Sequence, residues 1–91
     1  MTLSIIIPVL NEPSEIVATI ASIRATSPKG DYEIIVVDDC SAMPLVIPGV
    51  LVVRNPVRLG VGKSRHYGAQ IARGRSVLFV DAHSRFQPGW Y

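Results

Sequence analysis

The residues best suited to chemistry in this sequence are an aspartate and a histidine that follow an apolar run. Val77–Val80 are four apolar residues in a row, which predicts a short strand buried on both faces. Asp81 and His83 come just after it, and ligands of open parallel sheets bind outside the carboxyl ends of the strands. A carboxylate and an imidazole at that edge can hold one metal ion. This pair suits Mn²⁺, or alternatively Mg²⁺, with positions left for substrate phosphates.

Polar residues also follow two other apolar runs. Asn11-Glu12 comes after the first run, and Asp38-Asp39 comes after the second. Parallel strands end at a shared edge, so we expect these side chains to converge with the aspartate and histidine described above. Asp39 can accept a hydrogen bond from a nucleotide base, and we expect its removal to leave the fold intact. Asp38 is interpreted as a cap of the turn after its strand.

The basic residues are concentrated in the second half of the chain. Residues 1–50 hold six acidic and two basic residues, whereas residues 51–91 hold seven basic residues and one acidic residue. This asymmetry indicates an anionic ligand near the second half. Arg58 and Arg65 can face the base and the phosphates of a nucleotide. The chain has no nucleic-acid-binding motif, so a nucleic-acid partner is not expected.

Four apolar runs rich in β-branched residues predict four strands. They are Leu3–Pro8, Ile34–Val37, Val50–Val53 and Val77–Val80. Between them, helical patterns run from near Pro13 to near Ser27 and from about Lys63 to Arg73, with Gly74 as the C-cap. Strands that alternate with helices predict an α/β fold, a Rossmann-like parallel sheet of about four strands with flanking helices. The second helix contains small residues at Gly68, Ala69 and Ala72, which would let it lie close to the sheet.

The composition predicts one apolar domain over residues 1–91. The chain is 48% hydrophobic and 18% charged, which is apolar for its length. We expect part of this apolar surface, including the terminal Trp90-Tyr91, to contact another part of a larger protein or a second copy of the chain. Oligomers are therefore possible.

The sequence favours a cytoplasmic location. Cys40 is the only cysteine, so no internal disulfide can form and a reducing compartment is expected. No apolar run approaches the roughly 18 residues that a membrane span needs. Met1 leads directly into the first strand, so neither a signal peptide nor a membrane segment is expected.

A phosphate-binding P-loop is an alternative interpretation of one segment. Gly62-Lys63-Ser64 opens a predicted helix after a strand, as the last residues of a P-loop do. The motif also needs a glycine five positions before Gly62, and that residue is Val57. A β-branched side chain there would obstruct a backbone cradle around a phosphate. A P-loop-like NTPase fragment is therefore the less favoured alternative.

The order of these motifs resembles the GT-A glycosyltransferases of the family 2 type. The resemblance is carried by Pro8 with Asn11-Glu12, by Val36–Ser41, by Arg58 with Gly60, and by Phe79 with Asp81 and His83. The second half looks closer still to the polypeptide N-acetylgalactosaminyltransferases. That likeness is carried by Arg58-Leu59-Gly60, Ser64-Arg65, Gly68-Ala69, and Val77–His83 with Gly89-Trp90.

The resemblance implies the nucleotide-sugar-binding half of such an enzyme, with a UDP-sugar donor and a protein or glycan acceptor. The implied nucleotide-binding residues are Pro8, Val9, Leu10, Glu12, Asp39, Arg58, Gly60 and Arg65. Asp81 and His83 would coordinate Mn²⁺, or Mg²⁺, that bridges the diphosphate. No catalytic residue is identifiable in these 91 residues, so the piece alone is expected to be inactive. A non-catalytic nucleotide-binding module stays open as the alternative.

Overall fold

Four parallel strands form one sheet in a computed structural model of the chain, which describes residues 1–26 and 30–90. The strands are β1 (Leu3–Val9), β2 (Tyr32–Asp38), β3 (Leu51–Arg54) and β4 (Ser76–Phe79), and the helices are α1 (Pro13–Thr26) and α2 (Val61–Ile71). The strand order is β3-β2-β1-β4, and every pair is parallel. The predicted α/β fold with a four-stranded parallel sheet is therefore confirmed.

The larger core lies between the sheet and α1. Branched side chains at alternate positions of β1 and β2 meet the isoleucines of α1, which recur on one face of the helix. The buried members are Ile5, Ile7, Val9, Ile16, Ile20, Ile23, Ile34 and Val36. The two strands pair in parallel from Leu3 opposite Tyr32 to Val9 opposite Asp38. This register aligns the carboxyl ends of β1 and β2.

A smaller core lies between the sheet and α2, and it depends on close packing. Its buried residues are Ile6, Ile35 and Val37. Gly68 of α2 faces them, because a Cβ there would overlap the Ile6 side chain and lie 3.3 Å from Val37 Cγ2. The prediction that small residues bring this helix close to the sheet is confirmed at Gly68.

β4 differs from its prediction because it lies at an edge of the sheet and is covered on one face only. Leu78 packs against the core on the α1 side, and Val80 is buried there. On the other face, Val77 and Phe79 are 39% and 46% exposed. α2 packs over β1 and β2 rather than over β4. The prediction of a strand buried on both faces was therefore wrong.

The helix bounds also differ from the predicted ones. α2 spans Val61–Ile71 with Ala72 as its C-cap, rather than Lys63–Arg73. The predicted end of α1 near Ser27 lies outside the described residues, and the described helix reaches Thr26.

No helix in the described part of the chain is long and apolar enough to cross a membrane.

Gly74 is needed for a close backbone contact and not for the predicted C-cap. Its N–H donates to Ser4 Oγ at 2.8 Å. A Cβ at position 74 would lie 2.6 Å from the Ser4 backbone nitrogen, which is too close for any side chain. Gly74 therefore allows the chain to pass beside β1 before β4 begins.

The segment after β4 returns along α1. The Thr19 hydroxyl donates to the Ala82 carbonyl at 2.6 Å, and Trp90 Nε1 donates to Thr26 Oγ1 at 2.7 Å. Trp90 also packs against the core on the α1 side. This corrects the expectation that Trp90 belongs to an uncovered apolar surface, while Tyr91 lies outside the described residues.

Two glycines of α2 provide a matched test of this packing. We expect Gly68→Ala to destabilise the protein by about 1–3 kcal/mol, since the new methyl group overpacks the core against Ile6. Gly62→Ala on the same helix meets nothing within 4 Å and should be neutral or stabilise by about 0.5–1 kcal/mol. Urea denaturation measures both values. Equal effects of the two substitutions would contradict the packing described here.

Candidate functional site

An open cleft of about 290 Å³ lies at the carboxyl ends of β1 and β2, beside the first turn of α2 and the segment after β4. Nine of the ten predicted site residues line it: Pro8, Val9, Leu10, Glu12, Asp39, Arg58, Gly60, Asp81 and His83. Arg65 is the exception. Val61, Ser64 and Ala82 also line the cleft, and none of them was among the predicted site residues.

Hydrogen bonds connect the turns that follow β1 and β2. The Asp39 N–H donates to the Val9 carbonyl at 2.9 Å. The Asn11 N–H donates to Ser41 Oγ at 2.9 Å, and Asn11 Oδ1 accepts from the Ala42 N–H at 2.7 Å. Asn11 has a φ of 53°, a left-handed conformation that asparagine tolerates better than most residues. These bonds hold the two strand ends together.

Asp38 stabilises the turn after β2 and does not line the cleft. It is fully buried, and its Oδ1 accepts from the Ser41 N–H at 3.0 Å. Its Oδ2 accepts from Arg54 Nη1 at 2.9 Å. The interpretation of Asp38 as a turn cap is confirmed. Its neighbour Asp39 is the aspartate that lines the cleft.

The Asp39 carboxylate connects the end of β2 to the start of α2. Its Oδ1 accepts from Asn55 Nδ2 at 2.9 Å and from the Leu59 N–H at 2.7 Å. Its Oδ2 accepts from the Gly60 N–H at 2.9 Å. This carboxylate therefore organises the loop before α2, which the sequence did not reveal. In contrast to the expectation from sequence, we now expect its removal to destabilise the fold.

The Asp39 carboxyl is ionised at neutral pH. Burial raises its pKa, but hydrogen bonds from the Leu59 N–H, the Asn55 amide and the Gly60 N–H lower it, together with the charge of Arg58. The result is a pKa below the ordinary value of an aspartate. The cleft thus contains a fixed anionic hydrogen-bond acceptor.

Gly60 brings the first turn of α2 to the cleft. Its φ of 92° and ψ of 166° belong to a region that only glycine occupies readily. Its carbonyl accepts from the Ser64 N–H at 3.1 Å, which begins the helix. The unpaired N–H groups and the dipole at a helix N-terminus favour an anion. This end of the cleft is suited to a phosphate group.

Asn55 is a residue of the site that the sequence analysis missed. It is buried, and its amide nitrogen lies 2.9 Å from Asp39 Oδ1 and 3.0 Å from Ser64 Oγ. Asn55 directly follows β3. Because ligands bind outside the carboxyl ends of parallel strands, its position after a strand could have identified it as a site residue. The Ser64 hydroxyl, which a P-loop would place on a metal ion, is buried and accepts from Asn55 instead, which disfavours the P-loop alternative.

Asp81 and His83 lie at the rim of the cleft with exposed side chains. His83 Nδ1 is 3.5 Å from Glu12 Oε2, and Asp81 Oδ1 is 3.4 Å from Arg65 Nη2. Within residues 1–26 and 30–90, no group of three or more acidic, histidine or cysteine side chains could hold a metal ion. The oxygen and imidazole donors fit a divalent cation, but they supply only two ligands.

Arg65 lies beside the metal-ligand candidate Asp81 and not in the lining of the cleft. Its guanidinium carbon is 6.0 Å from the centroid of the Phe79 ring, at the distance of a weak cation–π contact. The predicted contact between Arg65 and the phosphates stays a prediction.

A parallel α/β sheet with a cleft at its carboxyl edge places the chain among open α/β folds, which bind ligands outside the carboxyl ends of their strands. Within this class, the chain belongs to glycosyl transferase family 2, whose model matches residues 4–91. It is 35% identical over 91 residues to an uncharacterized glycosyltransferase of Haemophilus influenzae, with 94% of this chain and 31% of that protein covered. It is 38% identical over 95 residues to human polypeptide N-acetylgalactosaminyltransferase 14, with 96% and 17% covered. The predicted resemblance to these families is confirmed.

Solved structures agree with this assignment. S. aureus TarS 1–349 in complex with UDP-GlcNAc matches with a TM-score of 0.79 and 30% identity, over 91% of this chain and 27% of that one. A mannosyltransferase of Pyrobaculum calidifontis in complex with GDP-Man and Mn²⁺ matches with a TM-score of 0.78 and 21% identity, over 92% and 28%, which shows the shared fold. The chain spans about a third or less of these relatives and structures.

The Asp39 contacts generate a prediction about stability and pH. We expect Asp39→Ala to lower the free energy of unfolding by about 2–4 kcal/mol at pH 7, because three donors lose an ionised acceptor. The folded-state pKa is lowered, so this stabilisation is present above the ordinary carboxyl pKa of 3.8 and is lost as the pH falls through the folded-state value.

Urea denaturation of both proteins between pH 7 and pH 3 measures this difference. Asp81→Ala is the control, since its carboxylate is exposed and should contribute little to stability. A difference between wild type and Asp39→Ala that stays constant down to the acid limit would contradict the role of the ionised carboxylate.

Proposed function

We propose that this chain is the donor-binding part of a metal-dependent glycosyltransferase, which holds a UDP-sugar for transfer to a protein or glycan acceptor. The observation that carries the proposal is the convergence of an ionised acceptor, a helix N-terminus and two potential metal ligands in one cleft. The TarS structure with UDP-GlcNAc, at 30% identity, supports a uridine diphosphate sugar as the donor class.

The uridine would bind at the ends of β1 and β2. A carboxylate has about four lone-pair sites, and three donors of the protein already occupy Asp39. One site is thus left for a base N–H, a charge-assisted bond worth about 1.5–3 kcal/mol. Val9, Leu10 and Arg58 line the same cleft. Pro8 and Glu12 complete this wall.

The diphosphate would lie between the first turn of α2 and the rim. Gly60 leaves the backbone accessible, because nothing lies within 4 Å of the position of a Cβ there. Asp81 and His83 would hold Mn²⁺ or Mg²⁺, and a diphosphate is a suitable source of the ligands that the described residues lack. When bound, the ion offsets the negative charge that develops on the leaving diphosphate. The residues of this chain bind and orient the donor.

A non-catalytic nucleotide-binding module is the second candidate. The observation that favours it is length, since the chain spans 31% or less of the relatives described above. A transferase must align donor and acceptor, and this alignment supplies a large part of the rate. We therefore propose that these 91 residues by themselves bind the donor but transfer no sugar.

We also propose a cytoplasmic location. The single cysteine, Cys40, suits a reducing compartment.

We propose in addition that the chain self-associates through the uncovered face of β4. Val77 and Phe79 expose apolar surface on the α2 side of the sheet. Size-exclusion chromatography with light scattering measures the association, and a clean monomer at high concentration would contradict it.

Calorimetric titration tests donor binding. We expect the folded chain to bind UDP in the presence of Mn²⁺ and to bind it at least about tenfold more weakly after EDTA is added. Asp81→Asn and His83→Ala should each remove most of the metal dependence. Asp31→Asn changes an exposed aspartate outside the cleft and serves as the control. Equal UDP binding with Mn²⁺ and with EDTA would contradict the proposed metal role. If a folded sample binds no UDP, the proposed nucleotide role is contradicted as well.

The distinction between enzyme and binding module needs an activity assay. We expect no acceptor-dependent release of UDP from a panel of UDP-sugars by the 91-residue chain, because the acceptor is not aligned. A longer protein that contains the chain is the positive comparison. Acceptor-dependent turnover by the 91 residues alone would show that the chain is a complete small enzyme.

A further inference from the structure

The contacts of Arg65 suggest a role that differs from direct phosphate binding. Its Nη2 lies 3.4 Å from Asp81 Oδ1, and its guanidinium lies over the ring of Phe79. Its Nε is buried without a hydrogen-bond partner among the described residues. Phe79 is the last residue of β4 and Asp81 follows it closely, so both contacts of the guanidinium come from the end of this strand.

We propose that Arg65 is a positioning residue that occupies the Asp81 carboxylate and makes cation binding depend on the diphosphate. The inference rests on the proposed function, because the cation and the diphosphate are the ligands of that site. In the free protein, the guanidinium is the cation at Asp81. A divalent ion that binds there must displace it or bind beside a positive charge.

The expected effect is modest, because both partners of the ion pair are exposed. The side chains of Arg65 and Asp81 are 40% and 57% exposed, so water screens their interaction. Competition between the guanidinium and a divalent ion for Asp81 therefore lowers the affinity for the ion by about two- to fivefold. It does not prevent the ion from binding. A bound diphosphate brings negative charge that attracts the guanidinium and offsets its repulsion of the ion. Nucleotide and cation therefore bind cooperatively.

The apolar stem of Arg65 must be kept in a test of its charge. Arg65→Met keeps an unbranched side chain over Phe79 but removes the cation, and Arg65→Gln serves the same purpose if the methionine variant does not fold. Lys63→Gln is the matched control: it removes a positive charge from the same helix, and Lys63 is exposed and outside the cleft lining.

The experiment measures Mn²⁺ binding to the full chain by electron paramagnetic resonance of the free ion, at about 0.15 M salt, where distant charges are screened. We expect Arg65→Met to bind Mn²⁺ alone about two- to fivefold more tightly than wild type, and Lys63→Gln to bind it as wild type does. Saturating UDP should raise the Mn²⁺ affinity of both proteins. The increase should be about two- to fivefold smaller in Arg65→Met than in wild type. In an Asp81→Asn background, Arg65→Met should change nothing.

Arg65→Met could instead leave Mn²⁺ affinity unchanged and weaken UDP binding in EDTA. This result would show that Arg65 contacts the phosphates directly. It would overturn the proposed role of Arg65 and leave the proposed function intact. An equal gain in Lys63→Gln, or a gain that persists with Asp81→Asn, also overturns it. If Arg65→Met gains Mn²⁺ affinity but no protein binds UDP, the effect of Arg65 on Asp81 stands and the proposed function fails. If neither wild type nor Arg65→Met binds Mn²⁺, both the proposed role of Arg65 and the proposed metal-dependent function fail.

Discussion

The cleft depends on one buried carboxylate that is held in its ionised form. Asp39 accepts hydrogen bonds from Asn55, Leu59 and Gly60, which join the end of β2 to the first turn of α2. An ionised group at this depth is costly unless donors surround it. Three donors meet that requirement, and a carboxylate has about four lone-pair sites. The same interaction therefore supports the fold and provides the proposed acceptor for the base.

The two adjacent aspartates at the end of β2 face different surroundings. Asp38 points into the protein, where Arg54 and a backbone N–H satisfy it. Asp39 faces the cleft, and both are buried. The rim is different, since Asp81 and His83 are exposed and their side chains lie 3.4–3.5 Å from single charged side chains. The wall proposed to bind uridine is thus preorganised, whereas the proposed metal ligands are held weakly.

The sequence predicted the strands and the cleft because both follow from local patterns. Runs of β-branched residues predict strands, and parallel strands bring the residues that follow them to one edge. The exposure of Val77 and Phe79 could not be predicted in this way, because it depends on where α2 lies over the sheet. Gly68 allows α2 to pack onto β1 and β2, which leaves β4 uncovered. The contacts of Asn55 and Gly74 likewise depend on segments that are distant in sequence.

The central claim is that this edge of the sheet binds a uridine diphosphate through preformed groups. Backbone amide NMR spectra of the chain, recorded during a titration with UDP and Mn²⁺, test it most directly. We expect the largest shift changes at Leu10, Asp39 and Gly60, with Glu33 and Arg73 at the opposite edge of the sheet unchanged. Changes centred on Glu33 and Arg73, or no changes in a folded sample, would contradict the account.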